Sequence, residues 1–277
     1  MSVPASRPDD AARETSPTPW TLVLYGALIG FAASWCGIGG GLFAVPILHF
    51  GRGLPLKRAV ATGLVLVLAT ALAATTTELL GEAPDLAWTV LVPLVCGVLL
   101  GAPLGFRALE RLPVPLLRRA FVLVLAIASW RMWQSGARPP ADLEAFGLLD
   151  GTVVFCVGLG GGFLSPLLGV GGGLLMVPGL YLLADTGFEL ARASSLCAAV
   201  FGASRSLRMH AVAGRVVWPA GLRLGGGALL GAAAGVRVLT SLELVEVARR
   251  GFAVLLLLVA LRFLRDALRR SSNDDPS

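Results

Sequence analysis

The chain has 277 residues, of which 56% are hydrophobic and 14% charged, and its mean hydropathy is +0.79; an ordinary soluble domain of this length is excluded for want of polar surface. The net charge of +6 and pI near 9.9 come from arginines that border apolar runs instead of lining one polar face, which argues against nucleic-acid binding.

Taken in order, residues 1–19 hold Pro4, Pro8, Pro17 and Pro19 with Asp9, Asp10 and Glu14. That reads as a disordered cytoplasmic tail, not as the basic start and apolar core of a signal peptide. A first transmembrane repeat is expected over 20–135: a helix, a glycine break at Gly37 to Gly41, a short helix from Leu42 to Phe50, then three longer helices that include the apolar runs Trp88 to Phe106 and Phe121 to Trp130. A linker follows over 136–149. The second repeat, 150–268, has its break at Gly169 to Gly173, a short helix from Leu174 to Ala184, and three more helices ending with the run from Phe252. Residues 269–277 form a polar tail. The long runs suit helices of about 20 residues crossing a roughly 30 Å hydrocarbon layer, whereas each short helix rises only about 15 Å, half a bilayer. Strand-like alternation is absent, so a β-barrel is disfavoured. The expected fold is an all-α integral membrane bundle of about eight transmembrane segments.

The two halves are copies. Gly37-Ile38-Gly39-Gly40-Gly41-Leu42-Phe43-Ala44-Val45-Pro46 returns as Gly169-Val170-Gly171-Gly172-Gly173-Leu174-Leu175-Met176-Val177-Pro178, 132 positions later counting from Gly37 to Gly169. At the same offset Ala61-Thr62-Gly63-Leu64 meets Ala193-Ser194-Ser195-Leu196. Further on Trp88, Gly97, Gly101, Gly105 and Arg107 meet Trp218, Gly227, Gly231, Gly235 and Arg237, and Arg118-Arg119-Ala120-Phe121 meets Arg249-Arg250-Gly251-Phe252.

Loop charges then suggest the orientation. Arg52, Lys57 and Arg58 face a counterpart loop with Asp185, Glu189 and Arg192; Glu82 and Asp85 face Arg205, Arg208 and Arg215; Arg107, Arg111, Arg118 and Arg119 face a loop diluted by Glu243 and Glu246. Because Lys and Arg favour the cytoplasm, the alternation predicts halves of opposite orientation with both termini cytoplasmic. Each half is then a glycine-broken hairpin plus three crossings, the plan of inverted-repeat transporters. Two parallel halves would leave the charge swap without a cause.

Glycines that break a helix inside a membrane expose amides that lipid cannot satisfy, and each break here precedes a short helix whose positive end suits an anion. Gly39, Gly40 and Gly41 with Gly171, Gly172 and Gly173 are therefore the candidate substrate ligands, the competing reading being close helix packing. Packing is preferred for the four-spaced set Gly97, Gly101, Gly105 and Gly227, Gly231, Gly235. Thr62, Ser194 and Ser195 are candidates to complete the anion's shell, or else bond back to their own helices. Thr75 to Thr77 and Glu78 read as an interfacial helix end. His210 is a candidate for proton coupling, set against an ordinary interfacial histidine. The four cysteines, Cys36, Cys96, Cys156 and Cys197, lack metal-ligand spacing and read as small buried hydrophobes. With no Ser/His/Asp grouping, HExxH or paired carboxylates in the sequence, no enzyme, cofactor or metal is expected. A dinucleotide fingerprint fails because these glycines lack its strand and acidic residue.

The doubled Gly-x-Gly-Gly-Gly with its apolar run and Pro, the Ala-Thr/Ser-Gly/Ser-Leu after each, and His210-x3-Gly214-x3-Trp218 resemble the TauE/SafE family, and the match runs from Trp20 to Leu268. The resemblance implies a polytopic inner-membrane carrier of about eight segments, associated with sulfite, sulfoacetate or related sulfur anions. Relatives often carry Asp just before that Trp, where this chain has Val217. The resulting expectation is a secondary transporter of a small sulfur oxyanion or organosulfonate in a lipid bilayer, with protons as a candidate coupling partner. The alternative is a non-transporting membrane scaffold or accessory subunit, which sealed packing around Gly37 to Gly41 would favour.

Overall fold

A computed structural model describes residues 19–81, 86–111, 125–134, 147–241 and 244–271. The described residues are helical: α1 (Pro19–Cys36), α2 (Gly41–Phe50), α3 (Leu56–Leu79), α4 (Trp88–Arg111), α5 (125–134), α6 (Leu148–Leu168), α7 (Gly173–Leu183), α8 (Phe188–Val212), α9 (Trp218–Ser241) and α10 (Val245–Ser271). The expectations for residues 1–18, residue 135, most of the linker (136–146), residues 272–277, the Arg118 to Phe121 match and the loop charges Glu82, Asp85 and Glu243 lie outside the described residues.

Four of these helices, Leu56–Leu79, Trp88–Leu109, Leu148–Leu168 and Trp218–Ser241, are long and apolar enough to cross a membrane. Trp20–Cys36, Gly41–Phe50 and Gly173–Leu183 are apolar but shorter. The outer faces are oily: Trp20, Leu24, Leu28, Leu100, Leu104 and Leu230 are all exposed, as lipid-facing side chains must be.

Small residues decide how the helices meet. A Cβ added at Gly227 or Gly231 would strike the carbonyl oxygens of Val23 and Ala27, and one at Gly235 that of Phe31, so α1 and α9 run side by side in the same direction. Shifted by half the molecule, Gly97, Gly101 and Gly105 approach Phe155, Leu159 and Phe163, so α4 and α6 also run parallel. The contacts are reciprocal, because Gly26 and Gly30 meet Leu224 and Ala228 while Gly158 and Gly162 meet Leu94 and Val98. Without a hydrophobic drive between helices in lipid, such backbone approaches carry the van der Waals energy that holds them.

The long central helices cross the other way. Glu78 near the end of α3 pairs with Arg192 near the start of α8, and Leu64 and Val67 cluster with Ala203 and Leu207. α3 runs with α9, since Gly221 meets Val65 and Gly225 meets Ala69; α8 runs with α4, since Gly202 meets Val98 and His210 meets Phe106. α5 and α10 are opposed, Ser129 Oγ donating to the Ala253 carbonyl at 2.8 Å and Arg249 Nη1 to that of Met132 at 2.5 Å.

Three local expectations are corrected. Arg192 is not a loop charge: it lies in the second turn of α8 and is 1% exposed. Glu78, expected with Thr75 to Thr77 at an interfacial helix end, has its side chain enclosed by protein, 6% exposed against that arginine. Of the cysteines only Cys197 is buried, and Cys96 and Cys156 lie exposed on the outward faces of α4 and α6, where a small apolar thiol suits the oily exterior.

Candidate functional site

Each break is built by glycines in the left-handed region. Gly37, Gly39 and Gly40 have φ of 73°, 70° and 84°, and Gly169, Gly171 and Gly172 repeat this at 69°, 75° and 86°. An L side chain is disfavoured in that conformation by roughly 1–2 kcal/mol, which is why three glycines recur at matching positions. The sequence pattern thus becomes one backbone shape made twice.

The two breaks lie against each other. A Cβ on Gly41 would overlap the Gly169 carbonyl, and one on Gly173 would overlap that of Gly37. Val67 of α3 lies beside both, within 2.8 Å of where a Cβ of Gly39 would stand and also against Gly171. All residues from Gly37 to Gly41 and from Gly169 to Gly173 are buried. Gly40 and Gly172 are the N-caps of α2 and α7, and the first bonded amides downstream are those of Phe43 and Ala44 on the Gly40 carbonyl and of Leu175 and Met176 on that of Gly172. The amides of Gly41, Leu42, Gly173 and Leu174 therefore emerge at two adjoining positive helix ends.

The hydroxyl candidates separate. Ser195 Oγ donates to the Gly37 carbonyl at 3.0 Å, so it belongs to the first break. Ser194 is fully buried and its Oγ has no partner among the described residues. Thr62 turns toward α9, its Oγ1 accepting the Val217 amide at 3.0 Å. Position 217 thus reaches Thr62 through its backbone, a contact that needs no side-chain acid there. His210 is buried in the bundle: Nε2 donates to the Pro166 carbonyl at 3.1 Å and the ring stands edge-on to Phe106, 5.1 Å away. On the preceding turn Ser206 Oγ donates to Ser165 Oγ at 3.1 Å.

Among the described residues, charge meets the breaks on one side. Arg192 packs its aliphatic stem on Gly37, with Cγ 3.1 Å from where a Cβ there would stand; Nη2 bonds Glu78 Oε1 and Nη1 donates to the Ser34 carbonyl at 3.4 Å. The repeat-related position beside Gly169 is Val60, whose Cγ1 lies 3.1 Å from a Cβ built there. Sequence reasoning misses this pair because it places Glu78 at a helix end and Arg192 in a loop. The available signal was that both fall within apolar helical stretches, where an ionisable side chain is costly.

Compared with known families, residues 1–132 and 154–277 match the family model described as Sulfite exporter TauE/SafE. No curated protein and no solved structure matches the chain.

Proposed function

From the premise that the chain belongs to the sulfite exporter TauE/SafE family of multi-pass, exporter-type membrane transporters, we propose that it is a secondary transporter of a small anion, a sulfur oxyanion or an organosulfonate of the sulfite or sulfoacetate kind. The observation that carries the reading is the meeting of two glycine-capped helix N-termini inside the bundle, a backbone arrangement whose free amides and dipoles suit negative charge. Amides of Gly39 to Gly41 and Gly171 to Gly173 bind the anion. Ser195 and the unpartnered Ser194 hydroxyl complete its shell, and Thr62 joins when it leaves the Val217 amide.

The repeats 20–135 and 150–268 are inverted, each a hairpin plus three crossings, giving about eight segments in the inner membrane with both termini cytoplasmic. Support comes from the opposed α3 and α8 and the exchange by which α1 pairs with α9 while α4 pairs with α6. Since both breaks are buried, the anion gains access by rocking of one half against the other, alternately from each side. His210 is the candidate proton-coupling group.

One observation favours the second reading, a non-transporting scaffold or accessory subunit: the breaks are packed so closely that added Cβ atoms would overlap backbone. Flux of labelled sulfite, sulfate and small sulfonates into proteoliposomes separates the two. Saturable flux lost in Gly40→Leu and Gly172→Leu, with both variants still monodisperse in detergent, upholds the carrier; no flux above empty liposomes for any of these anions leaves the scaffold.

A further inference from the structure

Arginine 192 is the buried cation next to the first break, and its surroundings are specific. Three of its contacts fix the side chain: the stem lies on Gly37, Nη2 is held by Glu78, and Nη1 reaches the Ser34 carbonyl one turn before the break. Its Nε–H is buried and has no hydrogen-bond partner among the described residues. Nε lies two bonds from the Cγ that touches Gly37, so the orphan donor sits on the side of the guanidinium nearest the break. A buried donor without a partner costs about 1–3 kcal/mol, and an ion pair inside a membrane bundle is weak evidence for stability. An acceptor brought by a ligand would remove the first difficulty and give the second a purpose.

We propose that Arg192 is a ligand of the transported anion, donating Nε–H to one of its oxygens beside Gly37, and that Glu78 is the positioning residue that holds the guanidinium in that pose. The inference rests on the transporter reading and sharpens it. The site is lopsided toward the first break, because Val60 stands at the repeat-related place and brings no charge to Gly169. It selects oxyanions, sulfite or a sulfonate, over a spherical halide, since directional N–H donors reward oxygen acceptors at defined angles. Ser195, bound to the Gly37 carbonyl from the next turn of α8, holds the break in register with the arginine.

The test is sulfite flux into proteoliposomes, with KM and kcat read separately for wild type, Arg192→Lys, Glu78→Gln and the double variant E78Q/R192Q. Lysine keeps the charge but has no Nε–H fork, so R192K raises KM by about 10-fold or more with kcat less affected. E78Q retains an acceptor for Nη2, so the guanidinium stays in place and KM stays within about 3-fold of wild type, a rescue that Glu78→Ala does not give. The double variant leaves no unpaired buried charge, so it folds where Arg192→Gln alone can fail. It should be monodisperse and show KM raised by about 10-fold or more. Saturable wild-type flux with unchanged KM in both R192K and E78Q/R192Q overturns the inference and leaves the transporter reading standing. Absence of wild-type flux for every anion tried overturns both.

Discussion

At the scale of single residues, glycines do three different things in this chain, and substitution by alanine separates them. Gly214 has φ 66° and open space around its missing Cβ, so Gly214→Ala meets backbone strain alone, about 1–2 kcal/mol. Gly172 adds to φ 86° a Cβ position 2.5 Å from the Gly161 carbonyl, so Gly172→Ala is the more damaging change. Gly226, exposed on α9 with nothing within 4 Å, tolerates alanine and gains about 0.5–1 kcal/mol. Melting in detergent should rank the variants G226A above wild type, then G214A, then G172A; a G172A protein as stable as G214A would sink the claim that the second break is packed against the Gly161 carbonyl of α6. The Glu78–Arg192 pair belongs to this scale too. Glu78→Ala strands a buried guanidinium and should cost about 3–5 kcal/mol, most of it recovered in E78Q/R192Q, as a double-mutant cycle on melting would register.

Among elements, the repeating unit is not a free-standing half but an exchange of partners. α1 leans on α9 and α4 on α6 through the same four-residue glycine spacing, so each half supplies the helix that the other needs. Gly101→Ala and Gly231→Ala should therefore lose stability by similar amounts, since each new methyl meets a carbonyl oxygen, of Leu159 and Ala27 respectively. A large loss in one and none in the other would show that the two interfaces are not equivalent. The spacing of these glycines was legible in sequence and so was their packing role. Their partners were not, because a glycine stripe says that a backbone comes close without saying whose. The same limit hid Arg192 and Glu78, which stand 114 positions apart and meet only because α3 and α8 run antiparallel.

Over the whole molecule, orientation can be read from the outside. Gly53 and Gly214, exposed in the turns after α2 and α8, border Arg52, Lys57 and Arg215; Gly81 and Asp185 are exposed after α3 and α7. With the repeats inverted and termini cytoplasmic, Gly53→Cys and Gly214→Cys, made in a background without the native cysteines, label with a membrane-impermeant maleimide only after the cells are opened. Gly81→Cys and Asp185→Cys label in intact cells. Labelling of Gly53→Cys and Asp185→Cys from the same side would mean parallel halves. Counting Arg192 as a buried side chain also makes the Asp185 loop more acidic than its sequence suggested, in keeping with an outer face.

The sequence by itself determined the class, because 277 residues with this apolar content have only a bilayer to dissolve in, and it made the duplication and the glycine breaks legible, because the same Gly-x-Gly-Gly-Gly phrase stands twice inside apolar stretches and clustered glycines break a helix. It could rank Ser195 only as one hydroxyl among three, and it left His210 between proton coupling and an ordinary interfacial histidine. Tertiary structure decided the rest: that the breaks touch, that Ser195 serves the first while Thr62 turns to Val217, that His210 is buried on Pro166, and that one charged pair lies beside a single break. These are relations between segments more than a hundred residues apart in several cases, and they are set by how helix backbones nest. Local periodicity and composition carry no information about that nesting.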